Sequence, residues 1–146
     1  MKNIQDYWAK KAKKAGLRSR AAYKLEEINK KHNLFYGSQI IFELGSAPGG
    51  WSQIIARLKD KCSVCYSFDC LKMADVEGIN FYKYNFFDDE FNEFSKDFFS
   101  KTDLILSDMS VNLSGISIKD AEENKQLNYF CLELSKNLLS SRGKLL

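Results

Sequence analysis

Gln39-Ile-Ile-Phe-Glu-Leu-Gly-Ser-Ala-Pro-Gly-Gly-Trp-Ser-Gln-Ile-Ile-Ala-Arg-Leu58 is the stretch that decides how the rest of the chain is read. Its first six residues form an apolar run of the length of a buried strand. Gly45 to Gly50 then turn the chain, and Trp51 to Leu58 carry apolar residues at helical spacing. Strand, glycine turn and helix together are the opening unit of an α/β sheet. In such sheets ligands bind beyond the carboxyl ends of the strands, where the turn lets backbone approach them and the helix N-terminus favours anionic groups.

The flanking sequence repeats the alternation. Cys62 to Phe68 reads as a second strand ending at Asp69, Ile79 to Tyr84 as a third and Thr102 to Ser107 as a fourth. Phe87, Phe91, Phe94 and Phe98 share one face of a short helix, and that periodicity predicts burial in a core instead of a stacking platform. Residues 1–33 read as helical, broken at Gly16, with Ser19 capping a helix over Arg20 to Asn29. Asp120, with Glu123 completing a capping box, opens a longer helix whose apolar face is Leu127, Phe130, Cys131, Leu134 and Leu138. Gly143 follows, and Lys144 to Leu146 opens a fifth strand. The prediction is one α/β domain over 1–146, with a basic helical segment at 1–33 and a core at 38–146. Its sheet is mostly parallel with helices on both faces, and further strands are expected beyond the last residue.

Composition excludes several classes. The chain has 146 residues, 45% of them hydrophobic and 28% charged, with a single Pro, which is a globular and not a disordered or fibrous pattern. No stretch reaches the roughly 18–20 apolar residues of a membrane span, and the N-terminus has no apolar signal segment, so a cytoplasmic protein is expected. Cys62, Cys65 and Cys70 crowd together, which suits reduced thiols better than a disulfide framework. Cys62-x-x-Cys65 has no second Cys or His pair at ligand spacing, so no metal site is expected. His32 is the only histidine, in a polar basic stretch, which disfavours histidine-based nucleophilic catalysis.

Charge is unevenly spread. Residues 1–31 carry ten Lys or Arg and three acidic residues, a net of +7, whereas the remaining 115 residues sum to −4. On charge alone such an arm is either a solvated helical face or the footprint of a phosphate-backbone contact, with Lys10, Lys11, Lys13, Lys14, Arg18 and Arg20 as the candidate nucleic-acid-binding residues. Tyr7 and Trp8 beside them could stack on bases, although packing of that helix onto the body is the plainer expectation.

Asp69 stands twenty residues after Gly49, at the end of a strand, where a carboxylate can accept hydrogen bonds from the hydroxyls of an adenosine ribose. The glycine spacing is G-x-x-x-G-G, which differs from the G-x-G-x-x-G of nicotinamide enzymes, and no G-K-[ST] follows for a nucleoside triphosphate. Asp108 ends the fourth strand at the same sheet edge.

Three motifs carry a resemblance. Gly16-Leu-Arg-Ser-Arg-Ala-Ala-Tyr-Lys-Leu-Glu-Glu-Ile28, Phe42-Glu-Leu-Gly-Ser-Ala-Pro-Gly-Gly-Trp-Ser-Gln53 and Leu106-Ser-Asp-Met-Ser-Val-Asn-Leu-Ser-Gly115 resemble those of the FtsJ/RrmJ (RlmE-type) ribose 2′-O-methyltransferases. The resemblance implies a Rossmann-like fold, S-adenosylmethionine (SAM) as cofactor, and methylation of a ribose 2′-hydroxyl, on a uridine of large-subunit ribosomal RNA. Residue by residue it marks Gly49, Trp51, Asp69, Asn85 and Asp108 as cofactor contacts, with Asn85 where the family usually has an acidic residue. Val111 and Arg142 are smaller departures. The family's catalytic tetrad is Lys, Asp, Lys, Glu; Lys24 matches the first lysine and Asp108 the aspartate. The second lysine's place falls about two residues past Leu146. The 146 residues alone are therefore expected to be a poor catalyst, and the alternative expectation is an RNA-binding or ribosome-assembly factor derived from the enzyme. The partners expected are ribosomal RNA or the large subunit, with a monomer as the default and no membrane.

A ribose hydroxyl is a weak nucleophile at neutral pH, so its attack on a methyl group needs alignment and a base of lowered pKa. Neighbouring lysines lower one another's pKa by repulsion, and a carboxylate can orient one ammonium.

Overall fold

In a computed structural model, described over residues 2–110, 115 and 117–146 and for side chains from residue 7 onward, five strands form one parallel sheet. The elements run α1 (Lys2–Lys14), α2 (Ala21–His32), β1 (Ile40–Leu44), α3 (Gly50–Leu58), β2 (Val64–Asp69), β3 (Asn80–Lys83), α4 (Asp89–Lys96), β4 (Thr102–Ser107), α5 (Ser117–Leu138) and β5 (Leu139–Leu145). Strand order is β3-β2-β1-β4-β5. The chain builds outward from β1 in one direction and then returns to start again at β4, and the connections leaving the carboxyl ends of these two paired strands run to opposite faces of the sheet, which opens a crevice between them.

The central strand explains the two cores. Ile41 sits beside Cys65 on β2 and Leu104 on β4, and it faces α2 and α3 together with Leu25, Ile54 and Ile55. Phe42 and Leu44 point the other way, toward α4 and α5. That second core is aromatic. Phe42, Phe68 and Phe91 meet at centroid separations of 5.1 and 5.2 Å, tilted and edge-to-face, the geometries that ring quadrupoles prefer.

Most predicted elements are present, with shifted ends. Ser19 does not cap α2. The helix starts at Ala21, the preceding Arg20 is already helical, and Ser19 lies against Gly50, where a Cβ would come 2.0 Å from its Oγ. The helix runs past Asn29 to His32 and ends at Asn33 in the left-handed conformation. Phe91 is fully buried and Phe94 and Phe98 pack against the same core, but Phe87 precedes α4 and is 63% exposed. Asp120 lies inside the first turn of α5 instead of before it, and its carboxylate accepts the Gly115 amide at 3.3 Å. Strand β5 begins at Leu139, five residues before the predicted start, with a shift of register against β4 between Thr102 and Leu104. Gly143 sits in that irregular stretch, where a Cβ would lie 2.9 Å from the Thr102 carbonyl oxygen. Val111 and the motif residues through Ser114 lie outside the described residues.

No described helix is long and apolar enough to cross a membrane.

Candidate active site

A cleft of about 520 Å³ opens over the carboxyl ends of the strands, lined among others by Gly45, Ala47, Asp69, Asn85, Phe86 and Asp108. Its floor is the turn after β1. Gly45 takes φ +77° and Gly49 φ +103°, conformations that side-chain-bearing residues rarely adopt. The amides of Gly45 and Ser46 donate to the Phe68 carbonyl at 2.9 and 3.1 Å, which ties the turn to the end of β2. Asp69 completes the tie: its carboxylate accepts the Ala47 amide at 2.8 Å through one oxygen and the Leu71 amide at 2.8 Å through the other. Each carboxylate oxygen has two lone pairs, so both retain capacity for a ligand hydroxyl. Asn85 stands on the rim, exposed, with its Oδ1 accepting the Phe87 amide at 3.3 Å.

Lys24 does not line this cleft and meets it through Asp108, from a different element. It lies in the first turn of α2, and its Nζ is 3.2 Å from Asp108 Oδ1, just beyond β4. Trp51 supports it from below, with the ring centroid 5.5 Å from Nζ. The ring is 4% exposed and its Nε1 donates to the Ala21 carbonyl at 2.8 Å, pinning α3 to the start of α2.

The motif around residues 16–28 and the glycine turn therefore form one unit. Gln53 accepts the Arg18 amide at 2.8 Å and donates to the Gly16 carbonyl at 3.0 Å. Arg18 donates to the carbonyls of Ala74 at 2.6 Å and Asp75 at 2.7 Å, and a Cβ on Gly49 would lie 2.7 Å from its Nη1. Gly49 and Gly50 thus give Arg18 and Ser19 room to lie on the turn. Arg18 is a clamp between loops, unlike Lys10, Lys11, Lys13, Lys14 and Arg20, whose side chains are exposed along α1 and at the start of α2. Neither Gly49 nor Trp51 lines the cleft. What they could offer a ligand is backbone at the start of α3, where first-turn amides have no partner within the helix.

Glu43 is the residue that sequence reasoning passed over. A lone carboxylate in an apolar strand, directly before the glycine turn, was the available signal. It is 1% exposed; Ser52 donates to its Oε2 at 2.6 Å and Ser67 donates to the same oxygen, while Oε1 has no partner. Burial pushes its pKa up to about 7, against the two serine donors and helped by the nearby Asp69 charge. Because the folded pKa lies above the unfolded value of 4.5, the stability this group contributes is complete below that value and is lost as pH rises toward 7. Glu43→Gln is expected to flatten this dependence, removing about 2 kcal/mol of the difference between urea unfolding at pH 5 and pH 8. Identical pH profiles for parent and variant would contradict it.

Among the described residues no cluster of His, Cys, Asp or Glu could hold a metal ion. Cys65 is buried on β2 and Cys62 is exposed before it.

The chain is 38% identical to the ribosomal RNA large subunit methyltransferase E of Nitrosospira multiformis, over 99% of its own length and 71% of the relative's. It is 37% identical to the protein of that name from Coxiella burnetii, over 99% and 71%, and 35% identical to that from Francisella philomiragia, over 97% and 69%. A crystal structure from Plasmodium falciparum, described as that of a ribosomal RNA methyltransferase, superposes with a TM-score of 0.73 at 26% identity, covering 88% of this chain and 75% of the other. The FtsJ-like methyltransferase family model matches residues 17–146, which takes in the Lys24 helix, the glycine turn and Asp108 alike, and the chain belongs to that family.

Proposed function

We propose that this protein transfers a methyl group from SAM to a ribose 2′-hydroxyl, on a uridine, of large-subunit ribosomal RNA. The observation that carries the reading is the meeting of Lys24 and Asp108 beside a cleft that Asp69 also lines. Methyltransferase E relatives bear the name of that ribosomal substrate, and the basic arm supplies the charge that RNA phosphates require. The proposed layout is one domain, in which the core at 38–146 takes the cofactor and residues 1–33 take the RNA, acting in the cytoplasm where ribosomes are assembled.

The cleft suits SAM chemically. The Gly45 turn lines the cleft, Phe86 offers an apolar wall, and the carboxylate of Asp69 has lone pairs left for a ribose diol. Asn85 would meet the base, and the α3 start at Gly49 and Trp51 would meet the amino-acid carboxylate. When bound, SAM supplies a methyl group made electrophilic by its sulfonium. Asp108 holds the Lys24 ammonium, and Lys24 orients the 2′-oxygen of the RNA by donating to it.

Calorimetric titration with SAM and, separately, NAD tests the cofactor assignment. SAM is expected to bind, and Asp69→Ala to weaken it about tenfold, the scale of one or two lost charge-assisted hydrogen bonds. NAD binding in preference to SAM would overturn it.

A further inference from the structure

A second concavity, of about 480 Å³, lies between α1 and α2 and is lined by Trp8, Arg20, Ala21, Tyr23, Lys24 and Glu27. Lys24 thus borders both this groove and, through Asp108, the cleft. The rings in the groove belong to neither hydrophobic core. Trp8 and Tyr23 meet at 5.3 Å with planes 57° apart, and Trp8 is still 38% exposed. Lys11 Nζ is 4.6 Å from the Trp8 centroid and 5.3 Å from that of Tyr23. Arg20 is exposed beside them, and the one acidic member, Glu27, is already paired with Lys31 at 2.9 Å. Ala12 on the same helix is buried as well, so the indole is not the sole covered point of α1 among the described residues.

Flat π surface left open to water, ringed by cations and next to the lysine that faces the ribose, matches an unpaired nucleotide: the base stacks on the ring and the adjoining phosphate meets the cations. We propose that Trp8 and Tyr23, flanked by Lys11 and Arg20, form a stacking subsite for the unpaired nucleobase next to the nucleotide whose ribose lies at Lys24. The inference rests on the RNA reading above and adds to it a substrate class. Bases inside an A-form duplex are already stacked and cannot reach these rings, so the protein takes locally single-stranded RNA.

The test is fluorescence anisotropy with end-labelled hexauridylate and with a series in which each position in turn is abasic, using the 146-residue chain and its Trp8→Ala and Trp8→Phe variants. For the parent, one abasic position is expected to cost about tenfold in Kd, within the range of one base–aromatic stack. Trp8→Ala binds intact hexauridylate about tenfold more weakly and shows no further loss at that position, whereas Trp8→Phe keeps most of the affinity and the positional penalty. If Trp8 only packs α1 against α2, Trp8→Ala weakens every oligonucleotide alike and the abasic penalty persists, which overturns the subsite and leaves the RNA reading standing. Parent protein that binds none of the oligonucleotides at low salt overturns the RNA reading and the subsite with it.

Discussion

Lys24→Ala and Asp108→Ala are each expected to lower methyl transfer by about 10²–10⁴-fold while leaving the fold almost unchanged. The two halves of that expectation have different origins. The Lys24–Asp108 pair is exposed, with side-chain accessibilities of 59% and 37%, and screening leaves such a pair worth under about 1 kcal/mol of stability. Positioning is another matter. Lys24 comes from α2 and Asp108 from the end of β4, and their contact holds the Lys24 ammonium, a hydrogen-bond donor, beside the cleft where a hydroxyl must be aligned. Lys24→Arg keeps the charge but replaces a compact ammonium by a planar fork, and it is expected to recover little activity. Single-turnover transfer beside thermal melts checks both halves. Variants within a few-fold of the parent rate would remove the pair from the mechanism.

Gly45→Ala carries the largest expected effect on the fold and the cleft together. At φ +77° the added Cβ costs about 1 kcal/mol in backbone conformation. It also falls 2.7 Å from Met109 Cγ and 3.1 Å from Met109 Cα, so the segment next to Asp108 must shift. Overpacking of this kind typically costs a further 1–3 kcal/mol, for an expected loss of about 2–4 kcal/mol in urea unfolding and at least tenfold in SAM affinity. Gly37→Ala is the control. Gly37 has a similar φ of +73° but open space around its Cβ position, so only the conformational cost applies. Equal losses at the two positions would show that the Met109 contact contributes nothing.

The parts of this structure legible in the sequence were those set by local pattern. Ile40–Leu44 carries apolar residues on both faces, Glu43 apart, because β1 is central, and Gly45 and Gly49 after it stand where the backbone turns with positive φ. Phe91 and Phe94 reached the core because their spacing follows α4, and Phe98 packs there from the turn just past its end. Phe87 did not, because α4 starts at Asp89 and the helical period fails to extend upstream. Features decided by distant partners were hidden. Ser19 has the right chemistry for a cap, yet it is pressed against Gly50. Arg18 looks like a surface cation, while its carbonyl partners, on Pro48, Ala74 and Asp75, lie thirty or more residues on. Strand β5 begins in Leu139-Ser-Ser-Arg-Gly, a polar edge segment with no alternation to reveal it. Glu43 was disguised by its charge, since a carboxylate in a strand ordinarily marks a solvent-facing position, and only the two serine hydroxyls make its burial tolerable. Lys24 and Asp108 were each marked by the family resemblance, but their distance of 3.2 Å across 84 residues is a property of the fold.

The account rests most heavily on where a transferred methyl group goes. Large-subunit ribosomal RNA lacking the modification, incubated with SAM labelled in its methyl group and this chain, should acquire label on a ribose 2′-oxygen, identified after digestion to nucleosides, and Lys24→Ala should abolish it. Label on a base, label that survives Lys24→Ala, or unlabelled RNA in the presence of bound SAM would contradict the account.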